Sequence, residues 1–170
     1  MRAISTHNIS PLEQAKYQDQ ITLKTVILGL GNELLGDEGV GVHAARQLKG
    51  KLLPQTVKVV EVGTAILDAL LALKHAERII VLDSLKDGGT PGTVYKIPLN
   101  HHDGSPCIAS MHSYEILRVM ALAGSRRKEP LPIIVFGVEP EEISWPMTLS
   151  PAVTNSLPYL LEAIQAELKN

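Results

Sequence analysis

The chain of 170 residues contains one cysteine, one tryptophan and one phenylalanine, and each scarcity removes a class of explanation. A lone thiol, Cys107, permits no internal disulfide framework and fits a reducing compartment. Aromatic residues make up only 4% of the chain, so any core must be built from Val, Ile, Leu and Ala. The same shortage argues against a base-stacking platform for single-stranded nucleic acid. Lys and Arg number 16 against 18 Asp and Glu, a net charge of -2, which gives no electrostatic reason to bind a phosphate backbone. The short basic run Arg126-Arg127-Lys128 reads as a solvated loop. No apolar stretch reaches the roughly 18 residues that a membrane span requires. The polar start of the chain has no apolar segment of signal-peptide type. The expectation is a cytoplasmic protein that binds neither nucleic acid nor membrane.

What is present has the alternation of an α/β protein. Residues 1–22 lack periodicity and read as a tail or accessory segment, leaving 23–170 as one domain, the usual number for this length. Thr25-Val-Ile-Leu-Gly-Leu-Gly31 is a short apolar run ending in glycine, as in a strand buried on both faces. Val40, Ala44, Leu48 and Leu52 recur every four residues, which predicts an amphipathic helix. Val57 to Val62 reads as a second strand, and Ile66 to His75 as a helix with Ile66, Leu67, Leu70, Leu71 and Ala72 inward. Ile79-Ile-Val-Leu82 is a third strand ending at Asp83. Turns at Gly88-Gly89 and Pro91-Gly92 precede an edge strand over Thr93 to Ile97. Residues 99–111 form a loop, Ser113 to Leu122 a helix closed by Gly124, and Ile133 to Val138 a buried strand. Ser150-Pro151 supplies an N-cap and a proline at the first helical position, and Pro158 kinks or divides the helix that follows. The fold class is a three-layer α/β arrangement: a twisted, mostly parallel sheet of about five strands with helices on both faces.

In such sheets ligands sit in the crevice beyond the carboxyl ends of the strands, and three acidic or imidazole signals fall there. Gly29-Leu-Gly-Asn-Glu-Leu-Leu-Gly-Asp-Glu-Gly-Val-Gly41 begins like a dinucleotide fingerprint but has Leu34 where the third glycine belongs. It carries Asp37-Glu38 just ahead of the helix. These carboxylates either complement the helix N-terminus or face the crevice, and one of the pair can do each. Asp83 at its strand end is either a turn cap or a crevice ligand. His112 stands between a loop and a helix, as a cap or as a ligand. Glu38, Asp83 and His112 together make an oxygen, oxygen and nitrogen set that leaves a metal site open, as catalytic sites do.

Other groups carry weaker signals. Cys107 precedes His112 by five residues, but a Cys/His nucleophile pair is assembled in space and needs an orienting third group. His101-His102 read as loop residues, and His43 and His75 as structural or surface groups. Neither a Gly-x-Ser-x-Gly elbow nor a Cys-x-x-Cys or His-Glu-x-x-His motif occurs.

Taken in order, the Gly29–Gly41 segment, Ile79-Ile-Val-Leu-Asp-Ser84, Pro91-Gly-Thr-Val94, His112, Phe136-Gly-Val-Glu-Pro140 and Leu149-Ser-Pro-Ala-Val153 resemble the maturation endopeptidases of nickel–iron hydrogenases. The resemblance runs over roughly residues 25–168. It implies an enzyme that removes a C-terminal extension from a hydrogenase large-subunit precursor after nickel insertion. It places the metal ligands and catalytic residues at Glu38, Asp83 and His112, and the nickel arrives with the substrate. Such a hard, oxygen-rich set should hold free metal weakly and accept other divalent ions, whereas thiolates in the substrate are the softer nickel ligands. A monomer is expected. Where that family commonly has Asp-Gly-Gly-Thr, this chain has Glu61-Val-Gly-Thr64, and Ser113 replaces a common Gln. Two other readings use the same residues: a non-proteolytic nickel chaperone or sensor, and, from Gly29-Leu-Gly-Asn32, a peptidyl-tRNA hydrolase.

Overall fold

A computed structural model describes residues 24–65, 69, 73, 76–99, 131–145 and 147–169. Its core is a five-stranded sheet of β1 (Thr25–Leu30), β2 (Val57–Gly63), β3 (Arg78–Ser84), β4 (Val94–Leu99) and β5 (Ile133–Val138). The spatial order is β2-β1-β3-β5-β4, parallel throughout except for β4, which pairs antiparallel with β5 at the edge. Two helices are fully described, α1 (Val40–Lys49) and α2 (Pro151–Glu167).

The apolar runs of β1 and β3 are continuous because each strand buries both faces. Ile27, Ile80, Leu82, Phe136 and Val138 pack with Val40, Ala44, Ala45 and Leu48 of α1 and with Val153, Leu157, Leu160, Leu161 and Ile164 of α2. The alternate residues Val26, Leu28, Leu30, Ile79, Val81, Ile133 and Val135 form the opposite layer with Ala69, Leu73 and Ala76. Glycines let α1 lie very close to the strands. A Cβ on Gly29 would sit 2.4 Å from the Ala45 Cβ, and one on Gly41 would sit 2.1 Å from the Leu82 carbonyl oxygen. At the far end of the sheet, buried Glu167 of α2 receives Arg78 at 3.0 Å and Lys96 at 2.6 Å, tying α2 to β3 and β4.

Several sequence expectations change. Leu52 is fully exposed (103%), because α1 ends at Lys49 and the four-residue period runs on past the helix by coincidence. The edge strand starts at Val94 and continues to Leu99, two residues beyond its expected end, since its register with β5 extends to Leu99↔Ile133. Strand β3 includes Asp83 and ends at Ser84. Helix α2 runs undivided through Pro158, which lies on the exposed face while the opposite face stays packed on the sheet. Its Ser150 cap forms as expected: the side chain accepts from the Val153 amide at 3.2 Å. Residues 1–22, the 99–111 loop beyond Leu99, the 113–122 helix and the inward set of the 66–75 helix lie outside the described residues.

Candidate active site

The chain leaves β1, crosses to β2 on one side, then returns past β1 to β3 on its other side. The connections on the two flanks therefore diverge above β1 and β3, and this is where an open α/β sheet has its ligand crevice. The segment carrying Glu38 and the end of the strand carrying Asp83 both lie at that place. Strand β1 ends at Leu30, and the next residue, Gly31, with a φ of +111°, turns the chain back over the sheet. The Glu33–Gly39 segment that follows is a pair of 3-10 turns broken at Leu35 and Gly36, and it packs against β3. Asn32 starts it by accepting a hydrogen bond from the Leu34 amide at 3.0 Å. The Glu38 carbonyl rests directly over Gly31, which puts the partly buried Glu38 at the β1 end. Asp83 sits one residue from the end of neighbouring β3, 1% exposed, opposite Gly137 of β5. One of its oxygens accepts from the amide of the next residue, Ser84, at 2.9 Å, within β3. His112, the third expected ligand, and Cys107, His101 and His102 lie outside the described residues, and among those described no group of three His, Cys, Asp or Glu forms a metal cluster.

The Asp37-Glu38 pair divides its labour, with Asp37 taking the structural part. Only 1% exposed, it accepts from the amides of Glu141 (2.9 Å) and Glu142 (3.2 Å) with one oxygen and from Ser150 (2.7 Å) with the other. A buried carboxylate so paired has its lost hydration replaced by backbone dipoles. The segment carrying Glu38 is thereby pinned to the loop between β5 and α2.

A further buried carboxylate, Glu139, carries no local signal in the sequence although it lies in Phe136-Gly-Val-Glu-Pro140. It accepts from the Asp87 amide at 2.9 Å and from the Tyr95 hydroxyl at 2.8 Å, holding the loop that leaves Asp83. Burial pushes its carboxyl up. Hydrogen bonds from the Asp87 amide, the Tyr95 hydroxyl and the Gly89 and Gly88 amides outweigh that, so it titrates below its ordinary 4.5. A lowered folded-state value means stability that is present above the unfolded value and lost as pH falls through the folded one. Glu139→Gln should therefore be less stable than the parent at about pH 7, with the gap closing towards about pH 3. A gap in urea midpoint that stays constant over that range would refute this role.

On the outer side of the crevice Arg46 reaches Glu33 at 2.8 Å and Glu61 at 2.9 Å, while Lys49 reaches Glu61 at 2.9 Å. The hydrogen bond from Arg46 holds the Glu33 carboxyl below the usual range, and the bond from Lys49 does the same for Glu61. Glu61, the first residue of the variant Glu-Val-Gly-Thr motif, thus ties β2 to α1. His43 lies on α1 with Nε2 3.6 Å from Glu33, on the side of that ion-pair network.

Comparison with known proteins agrees with this architecture. The chain is 30% identical over 153 residues to the hydrogenase expression/formation protein HupD of Rhodobacter capsulatus, covering 86% of this chain and 71% of the relative. It is 26% identical over 153 residues to the hydrogenase 2 maturation protease of Escherichia coli, covering 86% and 92%. Among solved structures, the hydrogenase maturating endopeptidase HybD of Escherichia coli superposes with a TM-score of 0.73 at 25% identity, covering 86% of this chain and 92% of that one. The NiFe hydrogenase maturation protease HybD of Thermococcus kodakarensis gives 0.73 at 26% identity, covering 85% and 99%. The model of the hydrogenase maturation protease family matches residues 42–167. On that match, which spans four of the five strands, most of α1, all of α2 and Asp83, the chain belongs to the hydrogenase maturation protease family.

Proposed function

We propose that this protein is the endopeptidase that cleaves the C-terminal extension from a nickel-loaded hydrogenase large-subunit precursor, with Glu38, Asp83 and His112 receiving the nickel carried by that substrate. What supports the reading is that the segment carrying Glu38 packs against β3 beside the end of β1, while Asp83 lies near the end of β3, in a chain of this family. Two carboxylates at one crevice would form a hard donor set, suited to completing the coordination of an ion that soft substrate thiolates already hold. Recognition of the ion and delivery of the scissile peptide to the crevice then become one event. The reaction is hydrolysis: water adds to the scissile carbonyl, the C–N bond breaks, and the new amine takes up a proton. A carboxylate of this pair within reach of that water can accept its proton.

The protein acts as a monomer in the cytoplasm on this reading, and no described helix is long and apolar enough to cross a membrane. Family membership favours this over a peptidyl-tRNA hydrolase.

The test is incubation with nickel-loaded and nickel-free precursor, following the C-terminal mass loss. Glu38→Ala, Asp83→Ala and His112→Ala should each slow processing by about 100-fold or more, since even the outer-shell partners of metal ligands are worth about 10–100-fold. Normal processing by all three variants would remove the site assignment. Equal cleavage of nickel-free precursor would remove the role of nickel, and binding without cleavage would make the protein a chaperone.

A further inference from the structure

Between β5 and α2 the chain runs Glu139-Pro-Glu-Glu-Ile-Ser-Trp-Pro-Met-Thr-Leu-Ser150. Ile143, Trp145 and Met147 are all exposed, Trp145 at 68%, and Leu34 is exposed on the Glu33–Gly39 segment. Scattered apolar side chains on a surface need no explanation, but three at alternate positions of one short loop do. Trp and Met are also the residue types that protein interfaces collect.

The loop is held at both ends. Asp37 takes the amides of Glu141 and Glu142 at its start and Ser150 at its close. A loop pinned in this way presents its apolar side chains with part of the ordering entropy of binding already spent. Because the pin is the residue before Glu38, the loop is presented beside the crevice itself.

Its charge is of one sign. Residues 139–150 contain three glutamates and no Lys, Arg or His, and Glu141 and Glu142 are exposed. An acidic rim around an apolar centre fits a partner that is basic around an apolar spot and disfavours acidic ones. We infer that the 141–149 loop is a docking surface for a basic, apolar segment of the precursor protein next to its scissile bond. This rests on the processing function proposed above and adds to it where the protein substrate is gripped. Trp145 is the anchor, and Glu141 and Glu142 steer the approach.

Trp145 is the only tryptophan in the chain, so it can be observed directly. The full-length protein labelled with 5-fluorotryptophan should give one fluorine resonance, which shifts or broadens when unlabelled nickel-loaded precursor is added. Trp145→Ala should raise KM for the precursor by about tenfold with kcat held, the signature of lost binding that the transition state does not deepen. The double change Glu141→Lys and Glu142→Lys should raise KM and flatten its dependence on salt. An unmoved resonance at saturating precursor, or wild-type KM for Trp145→Ala, would overturn the docking surface while cleavage by the parent protein left the proposed function standing. A resonance that shifts with the protein's own concentration, without precursor, would also overturn it, making the loop a contact between copies. Should the precursor shift the resonance yet never be cleaved, docking stands and the proteolytic reading falls.

Discussion

Gly31→Ala is expected to lose about 2–6 kcal/mol of stability and most of its processing activity together, from strain at positive φ and overpacking of about 1–3 kcal/mol each. Two effects act at one residue. The backbone sits at φ +111°, and an added Cβ would lie 1.8 Å from the Glu38 carbonyl oxygen and 2.9 Å from its carbon. Backbone atoms, unlike the end of a flexible side chain, can clear that space only if the Glu33–Gly39 segment moves off the sheet, and Glu38 moves with it. Against a total stability of about 5–15 kcal/mol, such a loss is large. Gly50→Ala is the control: its φ is -76°, and its nearest contact would be 3.4 Å from the Gln47 carbonyl oxygen, so only a small change is expected. Urea denaturation and the processing rate measure both. A Gly31→Ala protein as stable and active as the control would show that Glu38 is not set by this turn.

Asp37→Ala is expected to cost about 4 kcal/mol, because hydrogen bonds to a charged acceptor are worth about 1.5–3 kcal/mol each and do not add fully. Three amides lose their acceptor at once: those of Glu141, Glu142 and Ser150. Asp37→Asn should recover only part of the loss, since its amide nitrogen is a donor turned towards donors. Hydrogen exchange makes the test local. In Asp37→Ala the amides of Glu141, Glu142 and Ser150 should exchange faster than those of β1 and β3. Continued protection of these three amides, or a loss spread evenly over the sheet, would show that Asp37 does not pin the loop. The same variant should weaken precursor binding through the loop that carries Trp145.

Both predictions concern bonds between distant parts of the chain, and the division between sequence and fold follows from that. Strands β1, β2, β3 and β5, helix α1 and the Ser150-Pro151 cap were legible, because each is encoded within a few neighbouring residues. Buried parallel strands must be continuously apolar, a surface helix must repeat its apolar face, and a cap needs an oxygen beside the first turn. Local periodicity also misled where it met no packing: Leu52 continues the pattern of Val40, Ala44 and Leu48 into solvent. The edge strand was read in place but short of its end, since Leu99 is paired only through β5.

The site divides in the same way. Glu38 and Asp83 could be singled out because strand ends can be read from sequence, and parallel α/β sheets bind ligands at those ends. That either Asp37 or Glu38 would do the structural work was also readable. Which one did so was decided by residues 104 and 113 positions further along the chain, at Glu141 and Ser150. Glu139 carries no local signal for the same reason, since its partners Asp87 and Tyr95 lie 52 and 44 positions away. By itself the sequence determined the buried strands and the apolar face of α1 and singled out Glu38 and Asp83 as candidates, all from short-range period and spacing. Only the tertiary structure decided which buried carboxylates serve as brackets, because a buried charge is held by whatever donors the folded chain brings within reach.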